Sequence, residues 1–288
     1  MRTLVLILVL TAAAIWPVDA AAQATPTAAQ TTPPPAPAAP EDDPDMDLNT
    51  LQPDFALINL PTTLRVPLHK GAFRITHRFG RPLGAGDFSD LASDLFGFDN
   101  GAQIGMEFRF GVMRGLQAGI VRTSDKTIEF FGQRNLLQQG AASPVGLGLI
   151  ASIDGTDNFS EEFTPAIGLV VSREFTGVGA VYVEPMWVGN VNIFEPVITA
   201  DDNTILFGLG ARLRIRQTVY LVGEFIPRLT GYDAGLNLGT FAIEKRAGGH
   251  SFQINFSNGT GTTIGQLARG GFGGSDWYIG FNISRKFF

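Results

Sequence analysis

Three histidines, His69, His77 and His250, are the only imidazoles in the chain, and there is no cysteine. Imidazole acts as a general base or a metal ligand, so a hydrolase or a metal centre would have to be built from these three. Missing cysteine removes thiolate catalysis, disulfides and thiolate-bound metals. A lipid hydrolase set in a membrane needs a serine hydroxyl within reach of a histidine. Ser251 follows His250 and Thr76 precedes His77, but neighbours along a strand point to opposite faces. No nucleophile motif supports a serine elsewhere. Among the carboxylates, Asp87, Asp90 and Asp94 alternate with Phe88, Leu91 and Leu95. That spacing predicts a short helix with an acidic and an apolar stripe. It could narrow a barrel mouth, hold a cation with Asp99, or stand solvated in a loop. Asp154, Asp157, Glu161 and Glu162 match no calcium-loop spacing. The stretch Ser257 to Ser275 is glycine-rich but lacks the phosphate-loop lysine, and reads as a mobile surface loop.

Whether such groups meet depends on the elements that carry them. From about Gly71 the chain reads as short strands with one apolar and one polar face. The first, Phe73 to Phe79, sets Arg74, Thr76 and Arg78 against its apolar side. The second sets Ala102, Ile104, Met106, Phe108 and Phe110 against Gln103, Gly105, Glu107 and Arg109. The eighth opposes Ile205, Phe207, Leu209, Ala211 and Leu213 to Gly208, Gly210, Arg212 and Arg214, and the eleventh opposes Phe252, Ile254 and Phe256 to Ser251, Gln253 and Asn255. Similar alternation marks about twelve segments, an even number as a single-chain bacterial barrel requires. Links alternate between short turns and long loops, with two exceptions: Thr123 to Lys126 is short where a loop is expected, and Gln133 to Pro144 is long where a turn is expected. In a soluble barrel the apolar face would point inward. Here the polar face is poor in lysine and rich in Gly, Gln, Ser and isolated Glu or Arg, which suits a lumen.

Arg74, Arg78, Glu107, Arg109, Glu129, Glu184, Arg212, Arg214, Glu224, Glu244 and Lys286 would then face that lumen. So many charges must pair with one another or meet water. If water fills the lumen they line a small-solute pore; if they pair tightly they form a polar plug. His77 falls at the outer end of the first strand and His250 at the inner start of the eleventh. An apolar band about 25 Å tall separates those rims, too far for a shared metal. His69 precedes the first strand and could approach His250; a metal pair and plain interfacial imidazoles both stay open.

Upstream, Arg2 and the apolar run Leu4 to Trp16, with Ala20 and Ala22 before Gln23, predict an export signal over residues 1–22. The run is shorter than the roughly 20 residues of a spanning helix. Gln23 to Pro40 is almost all Ala, Pro, Thr and Gln, and Glu41, Asp42, Asp43, Asp45 and Asp47 follow. Residues 23–54 are therefore expected to be a disordered linker, its acidic run either solvated or touching a cation or partner. Order is expected from near Phe55, and residues 55–288 form the barrel. The net charge of -6 argues against nucleic acid. The 35 glycines and 23 phenylalanines suit tight turns and apolar belts.

The final segment alternates Trp277, Ile279, Phe281, Ile283 and Phe287 with Tyr278, Gly280, Asn282, Ser284 and Lys286, like the closing strand of an outer-membrane barrel. Phe287, not Phe288, is in phase; Phe288 is expected to overhang. Further motifs are Asn59-Leu60-Pro61-Thr62-Thr63-Leu64, Thr76-His77-Arg78-Phe79-Gly80-Arg81-Pro82, Gly248-Gly249-His250-Ser251-Phe252-Gln253, Phe256-Ser257-Asn258 and Gly280-Phe281-Asn282-Ile283-Ser284-Arg285. With them, Asn59 to Phe288 resembles a family of exported bacterial β-barrel proteins, the domain of unknown function DUF5777. The resemblance implies an outer-membrane-like barrel and brings no catalytic residue or substrate.

The expectation is thus an all-β chain: an antiparallel up-and-down transmembrane β-barrel of about twelve strands after a disordered N-terminal spacer. Its place is the outer membrane of a Gram-negative-type bacterium, among outer-membrane lipid and reached through the barrel-assembly machinery. No residue is assigned to catalysis, a cofactor or a metal. The leading function is a non-enzymatic pore for small polar solutes with a mixed-charge lumen. The alternatives are a closed structural or partner-binding barrel and, less favoured, a rim lipid hydrolase.

Overall fold

The computed structural model describes residues 50–95, 101–193, 201–273 and 276–288. The expected signal segment, the linker up to residue 49 and Asp99 lie outside the described residues. Alternation of side chains yields β1 (Gly71–Phe79), β2 (Ala102–Met113), β3 (Leu116–Thr123), β4 (Ile128–Leu137), β5 (Gly146–Gly155), β6 (Glu161–Phe175), β7 (Gly179–Val188), β8 (Thr204–Arg216), β9 (Val219–Ile226), β10 (Arg228–Gly231), β11 (Leu238–Ala247), β12 (His250–Ser257) and β13 (Tyr278–Phe287). Among the described residues the loops hold two short helices, α1 (Phe88–Ser93) and α3 (Ile264–Ala268), and one tight turn, α2 (Thr156–Phe159), whose Asp157, Asn158 and Phe159 have positive φ.

All pairings are antiparallel, and the sheet closes on itself where β1 meets β13, from Gly71 opposite Phe287 to Arg78 opposite Gly280. β9 and β10 both lie along β8, with Pro227 between them. Proline has no N–H to offer the ladder, but its carbonyl still accepts from Phe207 N at 2.9 Å. The two pieces form one stave, so the thirteen strands of the sheet make twelve staves, as the alternation predicts. The two irregular links are real: β3 and β4 join through the tight 124–127 turn, and β4 continues to Leu137 before the longer link to β5.

The expected apolar parity points outward. Met106, Phe108, Phe130, Ile167, Phe225 and Phe241 are all exposed, while their strand neighbours Arg109, Glu129, Ala166, Glu224 and Ala242 are buried. In water so continuous an apolar surface would drive association; on a closed barrel it is the lipid-facing band. At its outer edge His77 stacks on Phe281 (4.7 Å between ring centres) and lies against Phe79 (4.5 Å). The short turns define one end of the barrel, which faces the periplasm in bacterial barrels, and the long loops define the outer end.

Candidate functional site

The lumen is where this fold could act, and it is filled by the chain itself. Before β1 the backbone forms a hairpin: Leu57 N donates to Leu60 O at 2.8 Å, Thr62 N donates to Phe55 O at 2.9 Å, and Ala56 bridges to Pro61. Asn59-Leu60-Pro61-Thr62 is thus the tip and returning arm of a plug. Both ends hang from the turn end of the barrel: Tyr220 Oη donates to Thr50 O at 2.8 Å, and Val66 N donates to Gln117 Oε1 at 3.0 Å. The lumenal segment begins earlier than the boundary at Phe55: Leu51, Gln52 and Asp54, placed in the linker by composition, are buried. Composition could not show this, because their partners, such as Glu174 for Gln52 and Ser284 for Asp54, lie far along the chain.

Charged wall residues hold the hairpin by its main chain. Glu224 Oε1 accepts N–H bonds from Ile58 (2.7 Å), Asn59 (2.8 Å) and Leu60 (2.9 Å), and its Oε2 accepts from Asn59 Nδ2 at 3.1 Å. Successive backbone N–H groups in a turn form a natural cradle for an anion. The carbonyls face the opposite sign. Arg74 Nη2 donates to Ile58 O at 2.5 Å, Arg212 Nη2 to Ala56 O at 2.9 Å, and Gln253 Nε2 to Leu57 O at 2.6 Å. Arg78 Nη2 reaches Asn59 Oδ1 at 2.9 Å. Nearer the turn end, Gln133 and Asn135 donate to Thr62 O and Thr63 O, each at 2.7 Å. Two leucines act as knobs: a Cβ at Gly210 would overlap Leu57, and one at Gly208 would press on Leu60. Glycine at those wall positions makes room for the plug.

A second segment enters from the outer end. Residues 258–273, expected to be a mobile surface loop, instead fold inward, and all of α3 is buried. Thr263 caps α3 reciprocally with Gln266 and donates its hydroxyl to Asp154 Oδ2 at 2.6 Å. Ile264 N donates to Glu129 Oε1 at 3.2 Å, and Gln266 Nε2 to Asp125 Oδ2 at 2.9 Å. Ile264, Leu267 and Ala268 join Leu57, Ile58 and Leu60 in one apolar cluster. Burial of these apolar side chains holds the segment inside the lumen. Glycines let the loop pass close to other backbone, as where Gly270 (φ 81°) lies against Leu236 O. Beside α3, burial pushes the Arg269 guanidinium below its ordinary value, against the pull of Asp154 and Asp125. Between hairpin and loop the lumen narrows to a cavity of about 40 Å³, edged by Asn59, Arg74, Glu107, Arg109, Glu129 and Thr262. That is room for one or two waters.

The charged residues of the polar parity do not gather in one cluster. Glu107 and Arg109 pair at 2.8 Å, with the guanidinium over the Phe131 ring at 4.6 Å. Arg212 and Glu244 pair at 3.0 Å. Glu184 is fully buried, and neither carboxylate oxygen has a hydrogen-bond partner. Arg214 sits at the turn-end rim, half-buried, and donates to Gly177 O at 3.4 Å. Lys286 lies there too, 5.8 Å from the Phe288 ring centre. The inward amides Gln133, Asn135 and Asn282 share the parity of the charges and are buried with them. The acidic loop helix exists as α1, capped reciprocally by Asp87 and Asp90, but its residues are not buried, so it does not fill the mouth. His250 meets Arg285 (2.9 Å from Nδ1 to Nη1) and His69 stacks on Phe110.

This architecture has counterparts. The NanC porin aligns over all of its own chain and 76% of this one, with 7% identity and a TM-score of 0.50. A mutant porin of Rh. blastica aligns over 58% of its own chain and 68% of this one at 8% identity, but with a TM-score of 0.33 it bears no weight on the fold. No curated protein matches. Residues 54–287, from the first arm of the plug to the closing strand, match the model of the membrane bound beta barrel domain, and the chain belongs to that family, DUF5777.

Proposed function

We propose that this porin-like barrel is an outer-membrane channel for small polar solutes, held shut at rest by its own N-terminal hairpin. One observation carries the reading: Glu224 grips three consecutive backbone N–H groups of the hairpin tip. The wall recognises the plug through hydrogen-bonding groups that water could replace on withdrawal. Glu184 supports the same reading, because a carboxylate buried without a partner is costly beside a seated plug and unburdened in a hydrated lumen. With the hairpin out, Arg74, Arg78, Glu184, Arg212, Glu224 and Glu244 would line the passage, a mixed-charge wall. The passage of solute needs no catalytic group.

A closed structural or partner-binding barrel is the second reading, favoured by the burial of α3 at the outer end, where it packs in one apolar cluster with the hairpin. Single-channel recording separates the two. The full chain is expected to be electrically quiet with rare brief openings, whereas deletion of residues 50–66, or Glu224→Ala, is expected to give a steady open level. Silence from a folded deletion variant would sink the channel reading and leave the closed barrel.

A further inference from the structure

Surface charge is sorted along the barrel axis. Among the described residues every exposed carboxylate lies at the outer end, as in Asp157, Glu161, Glu162, Asp201, Asp202 and Asp233. Exposed basic side chains gather at the opposite, turn end: Arg114, Arg134, Arg173, Arg216, Lys245 and Arg285, with Lys70 beside them. Arg122 and Lys126 are the outer-end exceptions, and each is held locally, by Asn158 at 2.8 Å and Asp157 at 3.3 Å. The basic belt sits on the membrane side of the rim, since Arg134, Arg173, Lys245 and Arg285 share the parity of the lipid-facing residues of their strands.

Between β11 and β13 this belt meets an apolar groove. Ile243, Ile254 and Phe281 form one cross-strand row of its floor, and Lys245, Phe252 and Ile283 form the next row toward the periplasm. His250 and Arg285 follow one row further. Lys245 and Arg285 flank β12 one row apart; Lys245 Nζ donates to Thr218 Oγ1 at 2.6 Å and Arg285 Nη1 meets His250, and from these positions both long side chains can swing toward β12 to close on one small anion.

We propose that this rim is a binding site for an anionic phospholipid of the periplasm-facing leaflet. Its phosphate lies between Lys245 and Arg285, and one acyl chain runs outward along the Ile243–Phe252–Ile254–Ile283 groove. Charge complementarity selects the occupant: a phosphate finds basic groups at the depth of the head groups, and the described residues of that rim present no exposed side-chain carboxylate. The apolar floor lies where acyl chains lie. The site is independent of whether the lumen opens.

Native mass spectrometry of the full chain in detergent, titrated with phosphatidylglycerol or phosphatidylcholine, tests this. One phosphatidylglycerol is expected to be retained in preference to phosphatidylcholine. Lys245→Gln with Arg285→Gln should cut that retention roughly tenfold or more, while Arg114→Gln with Arg134→Gln leaves the tightest-held lipid in place. Ile254→Trp, which fills the groove and keeps both charges, should also weaken retention. Heat-modifiable gel migration checks that each variant is folded. In the unmodified protein, high salt should erase the preference for phosphatidylglycerol. Equal retention of the two lipids, or undiminished retention in the folded Lys245/Arg285 variant, would overturn the site.

Discussion

Arg212 on β8 and Glu244 on β11 meet at 3.0 Å with both side chains wholly cut off from solvent, across the intervening strand β9. The pair also serves the plug, since Arg212 donates to Ala56 O and Gln253, which donates to Leu57 O, also donates to Glu244. Removing one partner of a buried pair leaves the other charged and unpaired, at roughly 3–5 kcal/mol. Arg212→Ala should therefore lower the denaturant midpoint of the refolded barrel markedly. Arg212→Met combined with Glu244→Leu should recover much of that loss, read from the same unfolding curves.

Gly210 and Leu57 should behave as a lock. Gly210→Val puts methyl groups where Leu57 sits and should expel the hairpin. Because the chain has no cysteine, Asn59→Cys provides a single label at the hairpin tip. Its reaction with a membrane-impermeant maleimide should be slow in the otherwise unchanged protein and at least tenfold faster with Gly210→Val. Adding Leu57→Ala should restore part of the protection, as expected of two residues in contact. Equal labelling rates in all three would place the tip outside the notch.

At the outer end, burial pushes the Asp125 carboxyl up, but hydrogen bonds from Thr123, Thr127 and Gln103 outweigh it and hold the group below the ordinary carboxylate range. A carboxyl held low in the folded state stabilises at any pH above its unfolded pKa. That contribution fades as pH falls through the lower, folded value. The protection of amides across residues 262–268, taken relative to the intrinsic exchange rate at each pH, should thus be high at neutral pH and lower near about pH 3. Asp125→Asn should exchange faster than the parent at neutral pH, with the gap closing in acid. Glu129, Asp154 and Arg269 face the same loop in both proteins, so the difference between them isolates Asp125. A gap that persists in acid would assign the effect elsewhere.

The last two residues should separate in function. Phe287 is exposed on the lipid face, in phase with Phe281 and Ile283. Phe288 does not overhang freely: it packs against Phe55 and Val66 at the root of the hairpin, its ring centre 6.5 Å from that of Phe55. Phe287→Ala should reduce the fraction that assembles in the membrane. Deleting Phe288 should spare assembly and instead hasten labelling of Asn59→Cys. Loss of assembly on deleting Phe288 alone would reverse the two roles.

The barrel was legible because strand alternation is a local signal. Arg74, Glu107, Glu129 and Glu184 declare their face by parity alone, and α1 by its own spacing. The plug was not, because its recognition is non-local: 166 residues separate Ile58 from Glu224. Without those partners, Leu57, Ile58 and Leu60 look like a few apolar residues before a proline. The inward loop carried a readable trace, Thr263 three residues before Gln266 with an apolar residue, Ile264 and Leu267, directly after each, the pattern of a capped buried turn. The surrounding glycines concealed it.

The hairpin enters and leaves the lumen by the same rim, with Thr50 held near the β8–β9 turn and Val66 near the β2–β3 turn. It is a stopper on a tether and not a thread through the wall, so it can swing out and return while every stave of the barrel stays paired. On the proposed gating, reclosure would be a first-order event within one molecule, driven by the high effective concentration that a short tether imposes. The resting state should be as firmly shut in a membrane holding one copy as in a membrane crowded with them.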